Sequence, residues 1–323
     1  MIPMIRFVPA CLLLALWLQP PASAQDFPVK PIRMIVPTAP GGLTDIPARI
    51  IAERMRSGLN QQSVIVENRA GAGGIIGAEA VKHAPADGYT LLYAQAPVLS
   101  YLPALAKKLP YDIFDDFDPV MLAVRAPLAI VVRGDSAYRS VSDLVQASRK
   151  RPGGLNYGTA GIGTASHLVG LMLAGEAGVP MTAVHNRGDA PALQDLLAGS
   201  VDFYMAGAVR EQVAEGRLRA LAVTGMDRWF VFPDAPTVKE AGYPGVEIYA
   251  YSGIMVPKKT PADVVARLSK AANDALSDST VRERLQALGF DVRGGPPQDF
   301  ARFLTGEVER YRQVGARNNL VLD

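Results

Sequence analysis

From Ile32 onward the chain repeats one pattern: a short apolar run, a glycine-bearing turn, then a stretch with apolar residues at helical spacing. Ile32 to Val36 ends at Pro37, crosses Thr38-Ala39-Pro40-Gly41-Gly42, and gives way to Thr44 to Gly58, where Ile46, Ile50, Ile51 and Met55 fall on one helical face. Val64 to Val66, Thr90 to Ala94, Leu155 to Tyr157, Thr182 to Val184, Val201 to Met205 and Leu218 to Thr224 read as further strands. Ile75 to His83, Thr164 to Ala177 and Asp189 to Ala198 read as helices, the last capped by Asp189 with Pro191 in its first turn. Ser140 with Asp143 forms an N-cap pair for a helix reaching Arg149, and Thr260-Pro261 opens another to Ser277, followed by helices near 279–288 and 298–315. Strands that alternate with helices of this length predict an α/β fold with parallel sheets covered on both faces.

At 323 residues the chain is long enough for two such units, and 49% hydrophobic residues supply their cores. Pro127 separates the apolar runs Val120 to Val124 and Leu128 to Val132, and Gly242-Tyr243-Pro244-Gly245 precedes the long extended run Glu247 to Val256. These two breaks divide the chain into rough thirds. One organisation that fits is two lobes joined by two crossings, lobe 1 from 25–125 with 246–323 and lobe 2 from 126–245. Two consecutive domains are the other.

The first 24 residues have the parts of a secretory leader. Arg6 is followed by an apolar run from Phe7 to Leu18, then by Gln19-Pro20-Pro21 and Ala22-Ser23-Ala24, which suits cleavage after Ala24. The run is shorter than the ~20 residues of a membrane-spanning helix, so export to the periplasm is predicted. The sole cysteine, Cys11, lies inside the leader, which excludes disulfides, thiolate metal sites and cysteine nucleophiles from the exported part. With 33 basic against 31 acidic residues, composition supplies no phosphate-tracking basic patch, and nucleic acid is not an expected partner.

Three glycine-rich connections carry the functional signal. Pro40-Gly41-Gly42-Leu43-Thr44-Asp45 and Gly158-Thr159-Ala160-Gly161-Ile162-Gly163-Thr164-Ala165-Ser166-His167 both lie between a strand and a helix, where free backbone N–H groups and the helix dipole hold anions. Thr44 or Asp45 serves equally as a helix cap, and for Asp45 loop bracing ranks ahead of ligand contact, because a carboxylate facing an anion repels it. Gly71-Ala72-Gly73-Gly74-Ile75-Ile76-Gly77 approaches the dinucleotide fingerprint, but Glu67-Asn68-Arg69-Ala70 separates it from its strand, which is wrong for a pyrophosphate at the helix start. His83, His167 and His185 lack zinc-ligand spacing and there is no G-x-S-x-G elbow, so neither a metal, a cofactor nor a catalytic residue is expected. His167 reads as a packed or loop-bracing residue, and Asp115-Asp116 and Glu307 with Glu309 read as solvated faces.

Several motifs then combine. Lys30-Pro31-Ile32-Arg33-Met34-Ile35-Val36-Pro37 leading to Pro40-Gly41-Gly42, Val66-Glu67-Asn68-Arg69 with Gly71-Ala72-Gly73-Gly74, Ala86-Asp87-Gly88-Tyr89-Thr90-Leu91, Ala190-Pro191-Ala192 with Asp195-Leu196-Leu197, and Pro233-Asp234-Ala235-Pro236-Thr237-Val238 occur in order. Across essentially the whole exported chain this resembles the Bug family, the periplasmic solute-binding receptors of tripartite tricarboxylate transporters. The resemblance implies a type II, Venus-flytrap-like binding protein of two α/β lobes, monomeric, with a small carboxylate held between them by backbone and hydroxyl donors and delivered to integral-membrane transporter subunits. It places Ala39, Pro40, Gly41, Gly42, Thr44 and Asp45 on the first-lobe wall, and Thr159, Gly161, Gly163, Thr164 and Ser166 on the second. Arg187 falls in a loop that faces the cleft in the family, where it either reaches a distal charge or stays at the surface. Members of the family are often polar where this chain has Gln95-Ala96-Pro97-Val98 and Met205-Ala206-Gly207, so Gln95 and Met205 imply a less polar cleft and an acid with an apolar or aromatic body. A secreted α/β oxidoreductase or hydrolase, and a receptor that feeds a signalling partner, are the alternative readings.

Overall fold

Every strand read from the sequence is present in the computed structural model, which describes residues 27–322; the leader and its cleavage point lie outside the described residues. In chain order the strands are β1 (Ile32–Val36), β2 (Val64–Asn68), β3 (Thr90–Gln95), β4 (Phe117–Pro127), β5 (Ala129–Arg133) and β6 (Leu155–Thr159). They continue with β7 (Met181–His185), β8 (Phe203–Ala206), β9 (Leu218–Val223), β10 (Tyr249–Pro257) and β11 (Asp291–Val292). The helices are α1 (Asp45–Met55), α2 (Ile75–Lys82), α3 (Leu102–Leu105), α4 (Val141–Lys150) and α5 (Ala165–Ala177). After them come α6 (Asp189–Ala198), α7 (Arg210–Ala214), α8 (Ala262–Ser277), α9 (Ser279–Ala287) and α10 (Pro297–Asn318).

Two sheets result. The first has six strands in the order β11-β4-β10-β3-β1-β2, and the second has five in the order β7-β6-β8-β5-β9. Both are mixed, which corrects the expectation of parallel sheets. β1 pairs parallel with β2 and β3, and β6 with β7 and β8, but β10 runs antiparallel to β3 and β4, and β5 antiparallel to β8 and β9. The physical reason is the path of the chain: β10 enters the first sheet from the second rather than through a helical crossover, and only such crossovers impose parallel pairing. In the middle of the first sheet β3 is buried along nearly its whole length, as helices on both faces require. Local signals hold where they were strongest. Ser140 and Asp143 form the reciprocal capping box at the start of α4.

The chain passes between the sheets at two places, Leu128 on the way out and the 224–248 segment on the way back. Thr224, fully buried, ties both. Its Oγ1 accepts from the Leu128 N–H at 2.9 Å and donates to the Ile248 carbonyl at 2.7 Å, while Thr224 N–H donates to Leu128 O and Ile248 N–H to Thr224 O.

Glu307 departs from its reading as part of a solvated face. It is buried on α10, accepts from the Tyr311 hydroxyl at 3.0 Å, and also meets Arg310. Burial pushes its carboxyl up, against the opposing pull of Arg310 and Tyr311. Among the described residues no helix is long and apolar enough to cross a membrane, and no group of three or more His, Cys, Asp or Glu is placed to hold a metal ion.

Candidate functional site

Two helices begin on opposite sides of one cavity. Thr44 precedes α1 on the first sheet and Thr164 precedes α5 on the second, and neither side chain caps the helix it introduces. The first N–H groups of a helix have no partner inside it, and at α5 those of Ala165, Ser166 and His167 remain as donors at the positive end of a dipole; at α1 Ile46 N–H donates to the Gly42 carbonyl and Pro47 has no N–H, so that start keeps its dipole and the Asp45 N–H. Both threonines line a cavity of about 240 Å³ that is walled by the two sheets together. Gln95, Ala126, Pro127, Tyr101, Tyr251 and Ser252 come to it from the first sheet and its loops; Ala160, Ala165, Ser166, Asp189 and Gly207 come from the second. Leu43, Trp229, Leu288 and Phe290 add an apolar surface. A neighbouring chamber of about 420 Å³ shares Gln95, Pro97, Tyr101 and Thr164 with it and is lined further by Thr38, Ala39, Gly73, Gly74, Ile162, Gly163 and Leu322.

The first-lobe loop is held from behind. Asp45 is 2% exposed; its Oδ2 accepts from the Gly41 N–H at 2.8 Å and from Arg49 Nε at 2.9 Å, and its Oδ1 from Asn68 Nδ2 at 2.8 Å. Burial disfavours its charge, yet the bonds from Arg49, Gly41 and Asn68 outweigh that and hold the carboxyl below its ordinary range. Gly41 reaches this geometry at φ +80, a left-handed conformation that glycine adopts without strain. Asn68 also donates to the Thr38 carbonyl at 3.0 Å, so the loop is fixed at both ends. Asp45 therefore braces, and does not line the cavity; Pro40, Gly41 and Gly42 are likewise outside the lining, whereas Ala39 and Thr44 belong to it.

The second-lobe loop is braced by its own side chains. Thr159, fully buried, meets His185 Nδ1 at 2.8 Å and accepts from the Gly161 N–H at 3.2 Å. Ser166 Oγ accepts from the Ala160 N–H at 2.9 Å, His167 Nδ1 from the Gly163 N–H at 3.1 Å, and Thr164 Oγ1 donates to the Gly161 carbonyl at 2.7 Å. His167 is 6% exposed and packs edge-on to His185 at 4.7 Å; burial, with His185 adding to it, takes its pKa down to about 4, so it is a neutral acceptor at pH 7. Gly163, at φ +73, leaves room for Leu322 near the C-terminal end of the chain, whose Cδ1 stands 2.7 Å from where a Cβ would be. Gly163, Thr164 and Ser166 line the cavities, and Thr159 and Gly161 support them from outside.

Other expected positions part ways. Gln95 lines both chambers, and its Oε1 is buried without a hydrogen-bond partner among the described residues. Arg187 is exposed, forms no ion pair among the described residues, and lies outside the lining. Met205 is fully buried in the core of the second sheet; its strand hands the cavity to Gly207 two residues later. Sequence reasoning also missed Asp189, Trp229 and Phe290. Asp189 had been read as a cap, but Gly188 holds the cap position and Asp189 begins the helix. Trp229 and Phe290 come from distant segments that meet only in the fold, where Trp229 Nε1 donates at 2.9 Å to the carbonyl of Gly289, 60 residues on. No local pattern announces such a wall.

Comparison with known proteins decides the family. The family described as "Tripartite tricarboxylate transporter family receptor" matches residues 47–320. The chain belongs to this receptor family. A UPF0065 protein of a Pseudomonas species is 40% identical over 294 residues, covering 89% of this chain and 86% of its own. Among solved structures, an R. palustris protein with adipate is 32% identical with a TM-score of 0.80, covering 92% of this chain and 99% of that one. MatC from Rhodopseudomonas palustris with bound malate is 34% identical with a TM-score of 0.76, covering 89% and 99%. The two mixed sheets with a cavity between them are thus the two-lobed α/β architecture of periplasmic binding proteins.

Proposed function

We propose that this chain is a periplasmic solute-binding receptor that captures a small carboxylate between lobes 25–125 with 246–323 and 126–245 and delivers it to integral-membrane transporter subunits. The observation that carries this reading is the pair of uncapped helix starts, α1 and α5, that face one cavity from opposite sheets. A single anion engages Thr44 and the positive end of the α1 dipole on one side and the α5 amides and Ser166 on the other, and that shared grip favours a closed arrangement of the lobes. Gln95 adds an amide able to present either its oxygen or its NH₂, and its unpaired Oε1 is a site for a donor on the ligand or a bridging water. Trp229, Leu288 and Phe290 suit an apolar body behind the carboxylate. Binding and release make and break no covalent bond. The adipate and malate held by related structures belong to the same ligand class. The leader is removed after Ala24, and the exported receptor acts as a monomer.

The test is a thermal-shift and calorimetric screen of residues 25–323, freed of carried-over ligand by unfolding and refolding, against mono-, di- and amino-carboxylates with NAD(P) included. An acid present at 100 times its Kd adds about 2.7 kcal/mol of stability and raises the midpoint by several degrees. Binding of NAD(P) with no response to any acid would overturn the reading.

A further inference from the structure

Among the described residues that line the cavity, Asp189 is the one that carries a charge. A carboxylate is an odd neighbour for a site that takes carboxylates, and its surroundings show that it is not there to be neutralised by the protein. It is exposed, forms no ion pair among the described residues, and has a single side-chain partner, the Tyr204 hydroxyl, which donates to Oδ1. Tyr204 is itself buried in the second sheet, so it fixes the direction in which the carboxylate points without cancelling its charge. Burial, and after it Asp189, push the Tyr204 hydroxyl well above its ordinary pKa, which keeps it a donor. Oδ2 has no partner among the described residues. The two walls are consequently unlike: the first offers helix-start donors with its acid, Asp45, turned away and paired, and the second adds an unpaired negative charge.

We propose that Asp189 sets specificity: it selects carboxylates whose far end carries a protonated amine, which meets Oδ2, and rejects diacids by like-charge repulsion. This inference rests on the carboxylate-receptor reading. In the bound state the ligand lies polarised in the cleft, its carboxylate between the α1 and α5 starts and its ammonium at Asp189. Because Asp189 is exposed to solvent, screening moderates both the attraction and the repulsion.

Matched pairs of three lengths test it by calorimetry: succinate with γ-aminobutyrate, adipate with ε-aminocaproate, and terephthalate with para-(aminomethyl)benzoate. In the unmodified protein the amine of the best-fitting pair binds about tenfold or more tightly than its diacid. Asp189→Asn, which keeps the hydrogen bond with Tyr204 and removes the charge, shifts that ratio toward the diacid by about tenfold, or about 1.4 kcal/mol. A merely structural role at the start of α6 would lower the thermal midpoint and leave the ratio alone. Asp189→Ser, a favourable residue at a helix start, gives the same shift should the asparagine variant fold poorly. Diacids that bind the unmodified protein as tightly as their amines, or a ratio that Asp189→Asn leaves in place, overturn the role of Asp189 while the receptor reading stands. Failure of every member of all three pairs overturns this inference, while the receptor reading falls only if no acid of the wider panel binds.

Discussion

Two aspartates occupy the first position of a helix beside the same cavity, Asp45 at α1 and Asp189 at α6, and they do opposite things. Both serve the helix dipole equally well, so the difference comes from what surrounds them. Asp45 finds Arg49 one turn on, Asn68 at the end of β2 and the Gly41 N–H, and it is drawn into the body of the lobe. Asp189 finds only Tyr204 and stays at the cavity surface. A residue type at a helix start therefore says little about function until its partners are known. The first wall is a rigid donor surface with its charge consumed, and the second is a self-braced loop beside a free charge.

The comparison breaks most readily at Asp45. Asp45→Ala leaves Arg49, Asn68 and the Gly41 N–H without their common acceptor, and a loss of about 3 kcal/mol in chemical denaturation is expected, with weaker ligand binding because the Gly41 loop loosens. A loss under about 1 kcal/mol would mean that the loop is held by something else. The pH at which this contribution fails is also fixed in sign. The folded carboxyl titrates below its ordinary value of 3.8, so its stabilisation is complete above that value and drains away only as pH falls below it.

The second wall should fail earlier on acidification. His167 titrates at about 4 in the fold against 6.5 ordinarily, so between those values the unfolded chain binds a proton that the folded one does not. Stability therefore falls as pH drops through that window, by up to about 1.4 kcal/mol per pH unit. Denaturation curves at several pH values, with His167→Gln as the reference that lacks the slope, check this; parallel pH profiles for the two proteins would refute it. The smallest effect belongs to Thr164. Its hydroxyl donates to the Gly161 carbonyl and stands 3.1 Å from Ser166 Oγ, so Thr164→Ala should loosen the loop at the α5 start and weaken carboxylate binding by about 1 kcal/mol, with a loss of similar size in unfolding. Equal affinity in calorimetry would remove it from the site.

Much of the fold was legible because its signals are local. The period of the apolar residues, Pro127, the Gly242 to Gly245 turn and the Ser140 capping box each act within a few residues of where they stand. Strand direction was not legible, since β10 runs against β3 and β4 for reasons of chain path that lie outside its own sequence. At the site the glycine loops at Gly41 and Gly163 were readable as strand-to-helix turns, but not the fate of their N–H groups, which Asp45 and His167 take up. Which side chains face the cavity was not. Met205 and Gly207 are two residues apart, yet one is core and the other is wall. Trp229 and Phe290 meet from distant segments, and Asp189 is told from Asp45 only by the neighbours that the fold supplies. Glu307 makes the same point, a surface-like pattern whose carboxylate is buried against Tyr311 and Arg310.

The hydrogen bonds of Thr224 bear on mechanics as well as stability. One hydroxyl fastens the outgoing backbone at Leu128 to the returning backbone at Ile248, so sliding or spreading of the two tethers costs hydrogen bonds. Two strings pinned together resemble the pin of a door: twisting or shearing them breaks these bonds, whereas bending about the line through Leu128 and Ile248 keeps them.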